Sequence, residues 1–326
     1  MATRAAQAYW VTRAGVGALE PALVPEPQPG QVLLRALYSG VSRGTESLVF
    51  HGRVPASEHE RMRVPHQEGS FDFPIKYGYC LIAEVIAGVG VGRTVFCLHP
   101  HQSWACVSED AVTELPGRLP AGRAVLTANM ETALNAVWDG RVGPGDRVTV
   151  VGGGVVGCLV AYLCGRMPGT RVQLVDIDGR RRDVAAALGV EFADPSGRWS
   201  EVDVAFHASA TGPGLQSAID AAGDQARVVE LSWYGEQEVA VRLGGHFHPG
   251  RVQLVSSQVG SLPPERAPRW TFSRRLGVAL EMLCDDALDV LITGESRFAE
   301  LPEVMPRILS PAAERSDPVL CHRICY

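Results

Sequence analysis

The stretch Val148–Gly165 reads VTVVGGGVVGCLVAYLCG and carries no charge. Its length approaches that of a membrane-spanning helix, roughly 20 apolar residues. Three consecutive glycines, Gly152, Gly153 and Gly154, lie inside it, and such a run loses too much backbone entropy to sit mid-helix. The stretch therefore divides into a strand (148–151), a glycine turn and a helix (155–166), and no membrane segment is expected. Gly152-Gly153-Gly154-Val155-Val156-Gly157 fits G-x-G-x-x-G. It follows a strand, opens a helix and precedes a second strand, 171–176, which is the context that gives the pattern meaning. Gly152 permits the tight turn, Gly154 lets a diphosphate approach the backbone, and Gly157 lets helix and strand pack closely. The first helical turn, at Val155 and Val156, offers N–H groups and partial positive charge to that diphosphate. Asp176 ends the second strand, where a carboxylate accepts ribose hydroxyls and repels a 2′-phosphate. NAD(H) is favoured over NADP(H). Arg180, Arg181 and Arg182 work against that preference, because arginines just beyond the strand could pair with a phosphate.

The same rhythm continues downstream. Helix 180–188, strand 202–206, helix 214–222, and strands 227–232 and 252–258 alternate as a parallel sheet covered on both faces requires. Apolar strands such as VTVV and VQLV fit burial on both sides. Helices are expected at 272–283 and 301–309, and a last strand at 319–325. The first ~115 residues differ: short β-like runs at 32–38, 81–85, 94–98 and 104–107 are broken by turn residues. Gly52–Phe73 has no period and reads as a surface loop or short helix. The fold class is α/β, divided into a β-rich domain (1–118, completed by 290–326) and a dinucleotide-binding domain (119–289).

Composition narrows the class. Of 326 residues, 46% are hydrophobic and 20% charged, an ordinary globular balance. Lys+Arg 30 against Asp+Glu 36 gives −6, which leaves no broad basic surface for a nucleic acid. Lys76 is the single lysine. The 8 cysteines (80, 97, 106, 158, 164, 284, 321 and 325) form no CxxC pair, and the start has no signal-like apolar stretch. Reduced thiols and a cytoplasmic location are the expectation.

Gly40-Val41-Ser42-Arg43-Gly44-Thr45-Glu46, Pro74–Cys80 and the glycine cradle, in that order, resemble the medium-chain dehydrogenase/reductase superfamily. The order matches alcohol-dehydrogenase-like members along nearly the whole chain. SGVSRGTE (Ser39–Glu46) looks most like the branch containing bacteriochlorophyllide a dehydrogenase. The resemblance implies a GroES-like catalytic domain, a Rossmann domain and a C-terminal return to the first. It also implies a homodimer through the Rossmann domains, and Thr132 as a contact to nicotinamide. Arg181 falls where members place a basic residue beside the adenosine ribose, and Ser209 and Ser232 follow strands at the cofactor cleft. The departures concern zinc. Where zinc-dependent members carry ligands, this chain has Ser42 or Arg43, then Tyr79, and Ala128 if Thr132 is the nicotinamide contact. Zinc normally takes three protein donors of imidazole, thiolate or carboxylate type, so no metal is expected. Cys80, Cys97, His99 and His101 are the residues that could supply one. His246 and His248 read as turn residues.

Without a metal, side chains must polarise the substrate oxygen. Tyr79 stands in the place of a zinc-binding histidine and is the first candidate for proton donor. Lys76, three residues earlier, would lower the phenol's pKa if a turn at Tyr77-Gly78 brought them together. Thr45 matches the family's relay hydroxyl, with Ser42, Arg43 and Glu46 in the same loop and His51 as an extension. Trp233-Tyr234 would wall a pocket or pack a core. The expected function is zinc-independent hydride transfer between NAD(H) and a secondary alcohol or ketone of a sizeable metabolite. Reduction of an activated C=C bond, as in the quinone-reductase branch, and a nucleotide-binding protein without turnover are the alternatives.

Overall fold

In a computed structural model, which describes residues 3–310 and 319–326, the chain forms two compact units. One takes the chain up to Ala128, then Leu280–Asp285 and Ile292–Tyr326. The other takes Asn129–Ala279 and Asp286–Leu291. The first crossing therefore falls at 128/129 and not at 118/119. The reason lies in the residues between: Val125 and Leu126 are buried, and the Cys80 thiol donates to the Val125 carbonyl at 2.9 Å. The segment Leu280–Asp285 is likewise tied to the first unit, by Arg118 to Glu281 at 2.7 Å and by Arg123 to the Leu283 carbonyl at 3.4 Å.

In chain order the elements are β1 (Thr3–Arg13), β2 (Val16–Pro25), β3 (Gln31–Val41), α1 (Arg43–Phe50), β4 (Glu68–Gly69), β5 (Ile75–Lys76), β6 (Leu81–Ala87), β7 (Thr94–Cys97), β8 (Trp104–Ser108) and β9 (Val112–Glu114). Then follow α2 (Thr127–Gly140), β10 (Arg147–Val151), α3 (Val155–Gly165), β11 (Arg171–Val175), α4 (Arg181–Leu188), β12 (Glu191–Ala193), β13 (Val202–His207), α5 (Gly212–Ala221), β14 (Ala222–Glu230) and β15 (Gln253–Ser256). The chain ends with α6 (Phe272–Met282), β16 (Ile292–Arg297), α7 (Leu301–Ile308) and β17 (Cys321–Cys325).

The first unit holds a sheet of order β2-β1-β5-β4 and a larger one of order β16-β17-β3-β6-β7-β9, with β8 also paired to β3. Inward residues of β3, β6, β7 and β8 (Leu34, Leu81, Val95, Val107 and neighbours) form its core. The last strand, β17, pairs antiparallel with β3, so the C-terminal end closes this sheet. Gly52–Phe73 is mostly turns, with one short 3₁₀ turn at Ala56–Glu58.

The second unit is a six-stranded sheet of order β12-β11-β10-β13-β14-β15, every pair parallel. Renumbered within the unit this is 3-2-1-4-5-6, the doubly wound Rossmann order. The order reverses between β10 and β13, and in such sheets ligands bind at the carboxyl ends of the strands at that point. The uncharged stretch from Val148 onward is β10 and α3 with the glycine turn between them. Among the described residues no helix is long and apolar enough to cross a membrane.

Candidate active site

The nucleotide side can be built from backbone requirements alone. Gly152 leaves β10 at φ 110°, a region that L side chains rarely adopt. A Cβ there would also stand 2.7 Å from the Ala208 backbone, so the loops after β10 and β13 touch. At Gly157 a Cβ would meet the Gly152 carbonyl oxygen at 1.9 Å, which is why helix α3 can lie so close to the turn. Around Gly154 there is nothing within 4 Å of a built Cβ. That open face lies at the N-terminus of α3, where Val155 and Val156 are half-buried and the first N–H groups have no intrahelical partner. Asp176 reaches back from the end of β11. Its carboxylate accepts from the Gly153 N–H at 2.5 Å and from the Asp178 N–H at 2.8 Å. The cradle has the steric space, donors and acid that a dinucleotide needs.

The arginines beyond it are largely engaged. Arg180 pairs with Asp178 at 2.8 Å and Arg181, buried, lies 3.7 Å from the same carboxylate. Arg182 stands over the Phe192 ring. Hydrogen bonds from Arg180 hold the Asp178 carboxyl below its ordinary range. Ile177, next to Asp176, is 89% exposed, an apolar surface that reading the sequence did not single out.

Ser209 and Ser232 follow β13 and β14, as expected, but they belong to a network that was not foreseen. His207, fully buried, places Nδ1 2.8 Å from Glu230 Oε2, while its Nε2 lies 2.6 Å from Ser209 Oγ. Ser209 also meets Thr211 Oγ1 at 3.0 Å, and the Ala210 N–H donates to Ser232 Oγ at 3.0 Å. Tyr234 donates to Glu230 at 2.9 Å and its ring stacks on His207, so this tyrosine is part of the network. Thr132 is half-buried on α2.

In the first unit three of the four catalytic candidates converge. The Tyr79 hydroxyl shares hydrogen bonds with the side chains of Ser42 and Thr45, and all three residues are half-buried. Ser42 precedes α1 and Thr45 lies in its first turn, so one helix start presents both hydroxyls. Lys76 is the exception, and the expectation that it lowers Tyr79's pKa is wrong. Its buried ammonium bonds Glu68 on β4 and Gln102 Oε1, the latter at 2.7 Å, which holds it to other partners. Burial, followed by the Glu46 carboxylate, pushes the Tyr79 hydroxyl well above a phenol's ordinary value; the bonds to Ser42 and Thr45 pull it partly back. Tyr79 is a neutral phenol, a hydrogen-bond donor.

The neighbouring candidates have structural partners. Arg43 reaches the carbonyls of Ile308 and Val319 at 3.0 and 2.5 Å, and His51 the carbonyl of Leu309 at 3.0 Å. His99 is buried with Nδ1 2.9 Å from the Pro100 carbonyl, and burial lowers its pKa to about 3. His246 lies 3.5 Å from Asp224. Cys80 and Cys97 are buried thiols that burial pushes up to about 12. Among the described residues no three His, Cys, Asp or Glu side chains come together as a metal site. Hydroxyls at Ser42 and Tyr79, with a methyl group at Ala128, do not make a zinc donor set.

This is a two-unit, dinucleotide-binding architecture with a hydroxyl cluster in its β-rich part. No family model matches the sequence. Curated relatives do. The chain is 26% identical over 240 residues to 2-dehydro-3-deoxy-L-galactonate 5-dehydrogenase of Pseudoalteromonas atlantica, covering 63% of this chain and 70% of that protein. It is 27% identical over 221 residues to D-guloside 3-dehydrogenase of Escherichia coli, covering 61% of this chain and 62% of that one. The fold superposes on L-idonate 5-dehydrogenase of Escherichia coli with a TM-score of 0.81 at 13% identity, covering 100% of this chain and 99% of the other. Of the further structural neighbours, one was solved with NADP and another with NADH, and two are named for zinc binding. In sequence and in fold the chain is similar to alcohol-dehydrogenase-like medium-chain dehydrogenases/reductases, which supports an oxidoreductase.

Proposed function

We propose that this protein is a zinc-independent dehydrogenase/reductase that uses NAD(H) and interconverts a secondary alcohol and a ketone on a metabolite. The observation that carries the reading is the Tyr79–Ser42–Thr45 hydroxyl cluster, in which Tyr79 stands at the position where the family resemblance implies a zinc-binding histidine. The relatives' names, a 5-dehydrogenase and a 3-dehydrogenase of sugar derivatives, support a hydroxylated carbon as the reacting centre. Asp176, with Asp178 occupying Arg180 and Arg181, supports the preference for an unphosphorylated ribose.

The nicotinamide ring, when bound, supplies or takes up the hydride. The chain must then handle one proton at the substrate oxygen. Tyr79, neutral and fixed by two neighbouring hydroxyls, donates a hydrogen bond to that oxygen and stabilises the charge that develops on it. Ser42 and Thr45 hold the phenol's orientation and share its proton. Gly152, Gly154 and Gly157 give the diphosphate its approach, and Asp176 holds the ribose.

The decisive experiment combines metal analysis, titration with NADH and NADPH, and Tyr79→Phe. Purified protein without stoichiometric zinc should bind NADH more tightly than NADPH. Tyr79→Phe should lower kcat by about 10²–10⁴-fold, the range for loss of a positioned acid, with NADH affinity kept. Zinc at one equivalent per chain, or unchanged turnover in Tyr79→Phe, would overturn the reading.

A further inference from the structure

Behind the hydroxyl cluster lies a buried histidine–carboxylate pair that the reaction as described does not use. Glu46, in the first turn of α1, is 4% exposed, and His101 is 1% exposed. Glu46 Oε1 accepts the Ser42 N–H at 2.8 Å, a carboxylate folded back on a helix start where positive partial charge favours it. Glu46 Oε2 lies 3.0 Å from His101 Nε2. The other ring nitrogen lies 2.8 Å from Ser39 Oγ, which in turn meets Tyr326 Oη at 3.0 Å.

The imidazole also fixes the tyrosine's segment. Gly78, at φ 127°, directly precedes Tyr79, and a Cβ there would stand 3.0 Å from His101 Cδ2. One end of the pair thus holds Ser42, and the other packs against the residue that carries Tyr79 into position. Burying a polar pair has a desolvation cost, and an apolar pair of the same shape is often as stable. A positional task is the better account of its presence here.

We propose that the Glu46–His101 pair is a positioning element for the reaction, tying the loop of Ser42 and Thr45 to the segment of Tyr79. This rests on the role given above to Tyr79. The ionisable groups around that phenol are Glu46 from α1 and Cys80 and Tyr77 from its own segment, while His101, from the loop after β7, packs on the preceding Gly78. Glu46 is the carboxylate among them, and it raises Tyr9, Tyr77 and Tyr326 as well.

The test needs no known substrate. Tyrosinate absorbance is followed through an alkaline titration of the full-length protein, with Tyr79→Phe as the difference reference, in Glu46→Gln, Glu46→Asp and His101→Gln. Glu46→Gln should move the Tyr79 midpoint down by about one pH unit or more, as expected for losing a close like charge. Glu46→Asp should restore it. His101→Gln removes the imidazole and keeps the carboxylate, so its midpoint should stay or rise; this variant decides the matter if Glu46→Gln does not fold. On the ketone of a panel that is turned over best with NADH, kcat should fall about tenfold or more with NADH Kd within about twofold, since a misplaced hydroxyl weakens the transition state more than nucleotide binding. A Tyr79 midpoint unmoved in Glu46→Gln, or lowered in His101→Gln, overturns the inference. If Tyr79→Phe itself leaves turnover intact, the catalytic reading fails and the titration still reports on the pair.

Discussion

Among the described residues each unit contains one buried histidine–glutamate pair, and the two pairs are built differently. His101 and Glu46 are both nearly inaccessible, 1% and 4%, and the carboxylate's protein donors are one backbone N–H and the imidazole. His207 is as deeply buried, but the Glu230 side chain is 14% exposed and collects Ser232 N–H at 2.7 Å, Tyr234 O–H at 2.9 Å and the imidazole at 2.8 Å. The first carboxylate sits at a helix start among four phenols whose ionisation it opposes. The second sits at a strand end and is saturated with donors, so its charge is spent on holding the loops after β13 and β14. The same two residue types therefore do opposite work: one acts on its neighbours' protonation, the other on its neighbours' positions. What decides between them is the number of donors around the carboxylate.

The largest expected effect comes from breaking the second pair. His207→Leu leaves Glu230 part-buried beside an apolar group, and removing one partner of a buried pair typically costs about 3–5 kcal/mol. Denaturant unfolding should show a loss of that order, with NADH binding weakened as Ser209 loses its anchor. A loss under about 1 kcal/mol would mean that solvent already screens the pair. Acid sharpens the same comparison. Burial works against Glu230's charge, but the hydrogen bonds and charge of His207, with Ser232, hold its carboxyl below the ordinary value. A carboxyl depressed by folding contributes stability that is complete above about pH 4.3, its unfolded value, and is lost as pH falls through the folded value. Wild-type protein should therefore lose stability more steeply than Glu230→Gln below about pH 4.3, and parallel curves would contradict the assignment.

Next in size is Asp176→Asn, at the mouth of the same sheet. The amide keeps an oxygen for Gly153 but loses the negative charge facing a 2′-phosphate. NADH affinity should fall about tenfold, or about 1.4 kcal/mol, while NADPH affinity holds or rises, measured by nucleotide fluorescence. An unchanged ratio of the two affinities would take away Asp176's part in the choice of cofactor.

These expectations draw on parts of the molecule that were unequally legible in the sequence. The cradle is local: Gly152's dihedral and Gly157's close approach are backbone requirements that only glycine meets, so the residue types announce the turn. Ser42, Thr45 and Tyr79 became visible through a family resemblance, and their meeting depends on β3 and β6 pairing across the sheet. Lys76 was misread because its partners, Glu68 and Gln102, are set by β4 and by a loop after β7, and spacing along the chain does not show them. His101 stood out in the sequence only as a possible metal ligand; its partner Glu46 is far away in sequence, as Tyr326 is from Ser39. Strands β1 and β2 were missed altogether. Pro21 and Pro25 argue against a strand in the second, and it escapes that rule by lying at a sheet edge. Helix α2 was missed for the reverse reason, since it is buried nearly all round and so lacks an amphipathic period.

The smallest effect separates the two carboxylates most finely. Tyr234→Phe removes one of Glu230's donors and keeps the ring stacked on His207, with centroids 6.4 Å apart. A neutral hydrogen bond to a carboxylate contributes about 1.5–3 kcal/mol at most, and here the remaining donors and partial exposure should reduce the loss to about 1 kcal/mol. A phenylalanine beside Glu46 has no such donor to remove: Tyr77→Phe and Tyr9→Phe take away phenols that the carboxylate acts on through space alone. Their stability should change less than that of Tyr234→Phe, and in Tyr9→Phe it should hold or rise, because the Tyr9 hydroxyl is buried without a hydrogen-bond partner. If unfolding curves rank the three the other way, the carboxylate of the first unit is held by its phenols and not the reverse.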